Sequence, residues 1–401
     1  MTRRVVEADT VVDAGALKLT LRRLHGIVGP VVVDWLRFTC PLSSVALWLE
    51  SSFDPEGLYS LHAAPDGDFG ALLLGAGHRA AGRPLDLGAL AAARGLALRV
   101  VGLLGADFSA DLEPRPGRDF YQFRIALLRA GAEVGWIGGG ASSTRAQQDA
   151  QARTLHCNLY GEACLFVDPA AWSGVAALGE LCGGVVTRCD LALDFFAGLG
   201  DGEFARLVDR YKAGDMDVRG KRPRCAMAGD WAACRGATFY LGSRESGKLT
   251  RLYQKGDQLA GVDAGDPWVR CELQYGNSLR VLDWAMLTDP APYFAGASDF
   301  HAELLERAGV AVVPVGVPQR PRAVVASVVA ECARNLRWLV RSAGPTVAAA
   351  FRYLADSEFL EVAGAAGVPG RLAKFSTDEL RHGYENAARL WFSSPGAIPA
   401  C

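Results

Sequence analysis

The stretch Thr187-Arg-Cys-Asp-Leu-Ala-Leu-Asp-Phe195 alternates between apolar and polar side chains. Because successive side chains of a β-strand point to opposite faces, this alternation predicts a strand with one buried face. The opposite face carries Arg188, Asp190, Ala192 and Asp194. Two carboxylates about 7 Å apart along a strand, with a small alanine between them, leave room for a cation.

Two further stretches predict strands with a polar face. Leu249-Thr-Arg-Leu-Tyr-Gln-Lys255 places Arg251, Tyr253 and Lys255 together. A tyrosine between two cations is suited to meet a phosphate, and the cations are expected to favour the phenolate. In Trp268-Val-Arg-Cys-Glu-Leu-Gln274, one face carries Trp268, Arg270, Glu272 and Gln274.

Each pattern alone is more typical of an ordinary surface: a solvated strand face, an exposed aromatic ring or a cross-strand salt bridge. Their coincidence on three strands favours a shared site if those strands are neighbours. Hard carboxylate oxygens suit Mg²⁺ or Mn²⁺, so Asp190, Asp194 and Glu272 are the candidate metal ligands. Tyr253 would then attack a phosphate in line.

Five motifs in a fixed order resemble the replication initiation factor family. This family includes rolling-circle initiators of small plasmids, replication proteins of filamentous phages and related relaxases of integrative elements. The motifs occupy residues 33–39, 187–195, 238–244, 251–256 and 268–274, and the resemblance covers roughly residues 31–310. Its most specific part is Tyr-Leu-Gly-Ser-Arg (240–244) followed by Arg-Leu-Tyr-Gln-Lys (251–255).

The resemblance implies a DNA nickase that depends on a divalent metal and forms a 5′-phosphotyrosyl intermediate. It makes Tyr253 the nucleophile and assigns metal or base roles to Asp190, Asp194 and Glu272. Arg244, Arg251 and Lys255 would hold phosphates. Two alternatives remain open: a relaxase that nicks to transfer an element, and a non-catalytic origin-binding regulatory protein.

Several other site types find little support. The six histidines form no His-hydrophobic-His metal motif, and the ten cysteines contain no Cys-x-x-Cys pair. No second tyrosine stands close to Tyr253 in the chain, so a two-tyrosine mechanism is unsupported. Gly242-Ser-Arg-Glu-Ser-Gly-Lys-Leu-Thr250 nearly matches a phosphate-binding loop, but Leu249 occupies the required hydroxyl position and the flanks predict strand, turn and strand.

The expected partners are inferred from the resemblance and from local basic segments. The net charge of −2 argues against a uniformly basic protein but permits a basic groove. Predicted DNA contacts are Arg219, Lys221, Arg222, Arg224, Arg244 and Lys248. Origin DNA, double-stranded and single-stranded, is the expected ligand, with a host helicase and polymerase as partners and a homodimer left open. No membrane segment is expected, which places the protein in the cytoplasm of a bacterial host.

The predicted fold class is α+β: a mostly antiparallel sheet flanked by helices, followed by a small helical domain. The predicted segments are an N-terminal tail over 1–30, the nicking domain over 31–311, a proline-rich linker over 312–322 and the helical domain over 323–401. Within the nicking domain, Gly138–Gly140 predicts a turn and residues 278–287 predict a helix.

Overall fold

The structure is a computed structural model in which the chain divides into two compact units, Met1–Gln319 and Arg320–Cys401. It describes residues 18, 20–22, 29–51, 79–80, 83–84, 86–143, 148–200, 202–233, 235–261, 265–319, 324–365, 367–373 and 375–392. Most of the predicted tail over 1–30 and part of the predicted linker over 312–322 lie outside the described residues. Of the tail, Leu21 is buried and the Lys18 ammonium pairs with Asp266.

The first unit is built on one antiparallel sheet, as the sequence predicted. The strands of the chain are β1 Val31–Pro41, β2 Arg79–Ala80, β3 Arg83–Pro84, β4 Phe108–Pro116, β5 Tyr121–Arg129, β6 Ala132–Ala141, β7 Thr154–Leu159, β8 Val185–Phe195, β9 Cys225–Asp230, β10 Arg235–Ser243, β11 Lys248–Gln254 and β12 Val269–Gly276. Within the described residues, ten of them form the sheet in the order β4-β5-β6-β7-β1-β8-β12-β11-β10-β9, and β2 pairs with β3 separately.

The helices of this unit pack mostly, but not all, on one face of the sheet, since Leu259 packs with Ala192 and Trp268 on the other face. They are α1 Leu42–Ser51, α2 Leu87–Leu104, α3 Asp149–Ala152, α4 Gly161–Phe166, α5 Ala171–Leu181, α6 Leu207–Ala213, α7 Lys255–Ala260, α8 Pro290–Ala295 and α9 Asp299–Arg307. The main core joins α2, α5, α8 and α9 to the apolar strand face that includes Cys189, Leu191 and Leu193. Burial of this apolar area is the dominant favourable term that fixes which face of each strand turns inward.

Helix α2 is a long helix of the main core. The residues Leu87–Leu104 form 18 helical residues, and the carboxylate of Asp86 caps the helix by accepting from the Ala89 amide at 3.0 Å. By length and composition alone this helix could cross a membrane, but 61% of it is buried within the fold. That burial is what a core helix packed on a sheet requires.

Two local predictions are corrected by the structure. Gly138–Gly140 is not a turn but part of β6. A Cβ on Gly138 would lie 2.6 Å from the Trp136 ring, and one on Gly139 would lie 2.7 Å from the Phe123 ring, so neighbouring aromatics fill the space. In place of the helix over 278–287, the structure has one short 3₁₀ turn at Trp284–Met286.

The second unit is helical, with α10 Val324–Trp338, a π-helical segment Leu339–Ala343, α11 Gly344–Tyr353, α12 Asp356–Ala365 and α13 Thr377–Phe392. Val328, Cys332 and Ala387 form its small buried core. A capping box precedes α13: the Ser376 hydroxyl accepts from the Glu379 amide at 3.3 Å, and the Glu379 carboxylate accepts from the Ser376 amide at 2.8 Å.

Candidate active site and nucleic-acid interface

The three strands with polar alternation lie side by side in the sheet, in the order β8-β12-β11. Their register places Tyr253 opposite Arg270 and Arg251 opposite Glu272. Arg270 in turn lies opposite Asp194 on β8. Directly opposed residues of a sheet share a face, so these side chains lie together on the side away from the main core. We refer to this surface as the polar face; on β1 it continues through Trp35 and Arg37.

Each candidate metal ligand on the polar face is paired with an arginine. Arg188 Nε donates to Asp190 Oδ1 at 2.8 Å. Arg270 binds Asp194 with two parallel hydrogen bonds of 2.8 Å, and the Trp268 indole donates to the same carboxylate at 2.7 Å. The Arg251 guanidinium pairs with Glu272 and lies 3.7 Å from Asp190 Oδ2.

These pairings bear on the predicted metal set. The structure brings Asp190, Asp194 and Glu272 to one face but does not arrange them around a common point. Among the described residues, no group of three or more His, Cys, Asp or Glu side chains is placed to hold a metal ion. Asp194 in particular has both oxygens engaged by Arg270, so it is a buried ion-pair partner in this structure.

A fourth carboxylate, Asp34, belongs to the same network and was missed by the sequence analysis. Arg270 Nη1 donates to Asp34 Oδ1 at 2.7 Å. Strict alternation along β1 would place Asp34 on the face of Leu36, which is buried in the main core. A register shift between Val33 and Trp35 breaks the alternation and turns Asp34 toward β12. The only sequence signal was a charged residue inside an apolar run.

Buried negative charge accumulates around Glu272. Burial raises the pKa of Glu272 to about 8, with repulsion from Asp34 and Asp190 adding to the shift and Arg251 opposing it. Burial likewise raises the pKa of Asp190, against the lowering effect of Arg188. A group of carboxylates that resists full ionisation in this way is a site where an added cation would be stabilised.

The environment of Tyr253 differs from the sequence expectation. Burial raises the pKa of Tyr253 well above its ordinary value, while Arg270 opposes that shift and Glu272 adds to it. The phenolate is not favoured as the sequence predicted, because burial outweighs the nearby cations, although the Lys255 ammonium still lies 5.7 Å from the centroid of the Tyr253 ring. Arg251 is paired with Glu272, and Lys255 begins α7, where its ammonium donates to Gln258 at 2.9 Å.

The comparisons with known proteins agree with the motifs in the sequence. A family model described as "Replication initiation factor" matches residues 184–362. The resemblance to the replication initiation factor family is confirmed over this segment. A search of curated proteins finds no match. Among solved structures, the chain is similar to the rolling circle replication initiator protein from Geobacillus stearothermophilus, with 19% identity, 69% of this chain and 84% of that chain covered, and a TM-score of 0.37.

The segment that matches the replication initiation factor model contains β8, β11 and β12, and therefore most of the site residues. Asp34 and the strands β1 to β7 lie before it. The polar face thus extends past the matched segment, onto strands for which the family model supplies no expectation.

The predicted DNA contacts are divided between two surfaces. Arg244 is exposed in the turn between β10 and β11. Lys248 lies on the opposite side from Tyr253, and its ammonium donates to the Ala297 carbonyl at 2.5 Å. Burial lowers the pKa of Lys248 to about 8. The structure therefore places Lys248 on the side of the sheet away from the polar face, beside Ala297.

The remaining predicted contacts lie in the exposed segment between α6 and β9, namely Arg219, Lys221, Arg222 and Arg224. Arg222 Nε donates to Asp217 at 3.0 Å, and its guanidinium lies over the Tyr211 ring at 5.5 Å. The segment is therefore held in a defined conformation by one of its own arginines, while the other three side chains are exposed.

Proposed function

We propose that the protein starts rolling-circle replication by nicking one strand of its origin, with Tyr253 as the nucleophile. The observation that carries this proposal is the position of Tyr253 opposite Arg270 on the polar face, within the segment that matches the replication initiation factor model. Guanidinium groups beside a phenol stabilise negative charge on a transferring phosphoryl group. Arg251 lies on the same strand, two residues before Tyr253.

In the proposed reaction the phenolic oxygen of Tyr253 attacks the scissile phosphorus. A bond forms between that oxygen and phosphorus, and the bond from phosphorus to the 3′ oxygen breaks. The tyrosine loses a proton to a base on the polar face, and the leaving oxygen gains one. The products are a 5′-phosphotyrosyl adduct and a free 3′-OH that primes a host polymerase on a strand opened by a host helicase.

We include a divalent cation, Mg²⁺ or Mn²⁺, in the proposal, and the residues present fit it in part. Asp194 does not fit, because a metal would have to displace its hydrogen bonds from Arg270 and Trp268. Asp190 and Glu272 fit better, because both approach the same Arg251 guanidinium and so lie near each other, although a metal would have to displace Arg188 from Asp190 and Arg251 from Glu272. They would hold the cation, which would supply charge stabilisation for the scissile phosphate.

The direct test is covalent capture. Supercoiled DNA that carries the origin is incubated with the full-length protein and Mn²⁺, and the adduct is digested and mapped by mass spectrometry. We expect the adduct on Tyr253 and none with Tyr253→Phe. Tyr240→Phe is the matched control, because Tyr240 lies opposite Arg251 on the next strand and shares the polar face.

An adduct on Tyr240 in the wild-type protein would contradict the assignment of Tyr253. Origin binding without any adduct, unchanged by Tyr253→Phe, would indicate the non-catalytic origin-binding protein instead. A relaxase would give the same adduct on Tyr253. It would differ in the later fate of the DNA, because the nicked strand would be transferred to a recipient rather than replicated in place.

A further inference from the structure

The turn between β4 and β5 has an unfavourable backbone for its sequence. Asp119 and Phe120 are consecutive non-glycine residues with φ of 51° and 70°. This left-handed region is costly for L-residues and especially uncommon for a bulky side chain. Phe120 is also 67% exposed, so burial of its ring does not offset the strain. Backbone strain that persists without a packing reason is frequent at ligand contacts.

The turn is anchored on the polar face. Arg37 Nη1 donates to the Asp119 carboxylate at 3.2 Å, and Arg118 Nη1 donates to the Tyr160 hydroxyl at 2.6 Å. Arg37 lies directly opposite Arg188 on β8, and Arg188 is the partner of Asp190. An unbroken set of neighbouring charged side chains therefore connects the turn to the candidate active site.

This part of the polar face combines cations with aromatic rings. The Arg188 guanidinium lies 4.5 Å from the centroid of the Trp35 ring, and the Tyr160 ring lies 5.1 Å from it. Arg37 and Arg188 lie directly opposite each other on neighbouring strands, where like charges repel, and Asp119 and Asp190 offset part of that repulsion. Phosphate oxygens are the anions that arginine forks fit best, and every nucleobase offers a flat face to an exposed aromatic ring.

We propose that the β4–β5 turn is a second contact site for the single strand, in which Phe120 stacks on an unpaired base while Arg37 and Arg118 meet the adjacent phosphates. This inference rests on the proposed function in one respect only, that the ligand is DNA. The site lies outside the segment that matches the replication initiation factor model, so the family comparison does not assign it.

The test is the affinity of the full-length protein for a fluorescently labelled oligo-dT strand, measured by anisotropy at fixed salt. Base–aromatic stacking lost on substitution should weaken binding by about 5- to 150-fold for Phe120→Ala. Phe120→Trp should retain binding. Phe166→Ala is the matched control, because Phe166 is an exposed phenylalanine (38%) on α4 whose ring faces Arg129, and it should leave the affinity unchanged.

A second variant separates binding from folding. Asparagine tolerates the left-handed region, so Phe120→Asn should leave the urea midpoint unchanged or raise it while it weakens oligo-dT binding as Phe120→Ala does. A loss of affinity together with retained stability supports the proposal. Equal affinity of wild type, Phe120→Ala and Phe120→Asn overturns it, as does a wild-type protein that does not bind oligo-dT.

The outcome for nicking is independent of this measurement. If Tyr253→Phe still forms an adduct while the Phe120 variants lose affinity, the proposed nucleophile fails and the stacking site stands. If the adduct maps to Tyr253 and the Phe120 variants bind normally, the nucleophile stands and the stacking site fails.

Discussion

Asp194→Asn distinguishes a structural carboxylate from a metal ligand. In the structure, the buried Asp194 accepts two hydrogen bonds from Arg270 and one from Trp268, at 2.7 to 2.8 Å. Arg270 is itself buried, and its other carboxylate partner is Asp34. The substitution removes the charge and one acceptor, and it directs an amide N–H toward the guanidinium.

The expected cost can be set from these hydrogen bonds. Removal of one partner from a buried ion pair costs about 3–5 kcal/mol, because the other charge stays buried without full compensation. Asparagine keeps one oxygen acceptor, so a loss of about 3 kcal/mol is expected. That is a large part of the roughly 5–15 kcal/mol that holds a typical domain folded. Urea unfolding followed by circular dichroism should show a clearly lower midpoint.

Glu203→Gln is the matched control, since Glu203 pairs with Arg206 at 2.7 Å and Arg307 at 3.2 Å near the surface. Exposed ion pairs contribute about 0–1 kcal/mol, so its midpoint should hardly move. The reasoning on Asp194 would be refuted if Asp194→Asn cost less than about 1 kcal/mol. Loss of Mn²⁺-dependent nicking without such a cost would instead make Asp194 a metal ligand.

Three further predictions concern stability in acid and binding to DNA. Burial, together with Lys248, lowers the pKa of His301 to about 3. Between about pH 6.5 and pH 3, the imidazole is therefore protonated in the unfolded chain but not in the folded protein. The free energy of unfolding therefore decreases as the pH falls from about 6.5 toward 3. His301→Gln should remove up to about 1.4 kcal/mol per pH unit of that decrease, as measured by urea titrations at several pH values. If the free energy of unfolding decreases by the same amount in acid in the variant, His301 does not titrate as described. Lys248→Met should leave the salt dependence of origin binding unchanged, because the ammonium donates to the Ala297 carbonyl. A flatter salt dependence would show that Lys248 contacts a DNA phosphate. The third change replaces all four basic residues between α6 and β9 with alanine, namely Arg219, Lys221, Arg222 and Arg224. It should weaken binding to every duplex and flatten the salt dependence by about one unit of slope for each phosphate that is no longer neutralised. An unchanged slope would mean that the segment only connects α6 to β9.

The central part of the fold and site was predictable because side-chain alternation reports strand faces directly. In β8 the alternation of Cys189, Leu191 and Leu193 with polar residues indicated the buried face, and in β11 and β12 it placed Tyr253 and Glu272 on one side. Adjacency of β8, β12 and β11 needed the resemblance or the structure, since pairing between distant strands leaves no local pattern.

The features that escaped prediction depend on irregular backbone and on tertiary packing. The bulge at Asp34 breaks the alternation at a single residue, and its only sequence signal is a charged residue inside an apolar run. Lys255 is the first residue of α7 rather than part of β11, although its ammonium still lies over the Tyr253 ring. The glycines of β6 favour a turn by composition, but they pair with β5 and β7 as a strand, and the Trp136 and Phe123 rings occupy the volume where their side chains would be. The strain at Phe120 likewise has no counterpart in composition.

The ion pairs of the polar face suggest why a buried tyrosine is compatible with nucleophilic attack. In the free protein burial disfavours the Tyr253 phenolate, and the neighbouring guanidinium of Arg251 is already engaged by Glu272. A phosphate that arrives at Arg251 competes with Glu272 for the same donors. Under the proposed function, each guanidinium that turns to the phosphate would leave a carboxylate without its counter-charge, and Glu272 and Asp190 would then attract the proposed cation more strongly. Because such coupling is reciprocal, the cation would strengthen phosphate binding by the same factor. In this proposal the substrate supplies part of the electrostatic environment that its own cleavage requires.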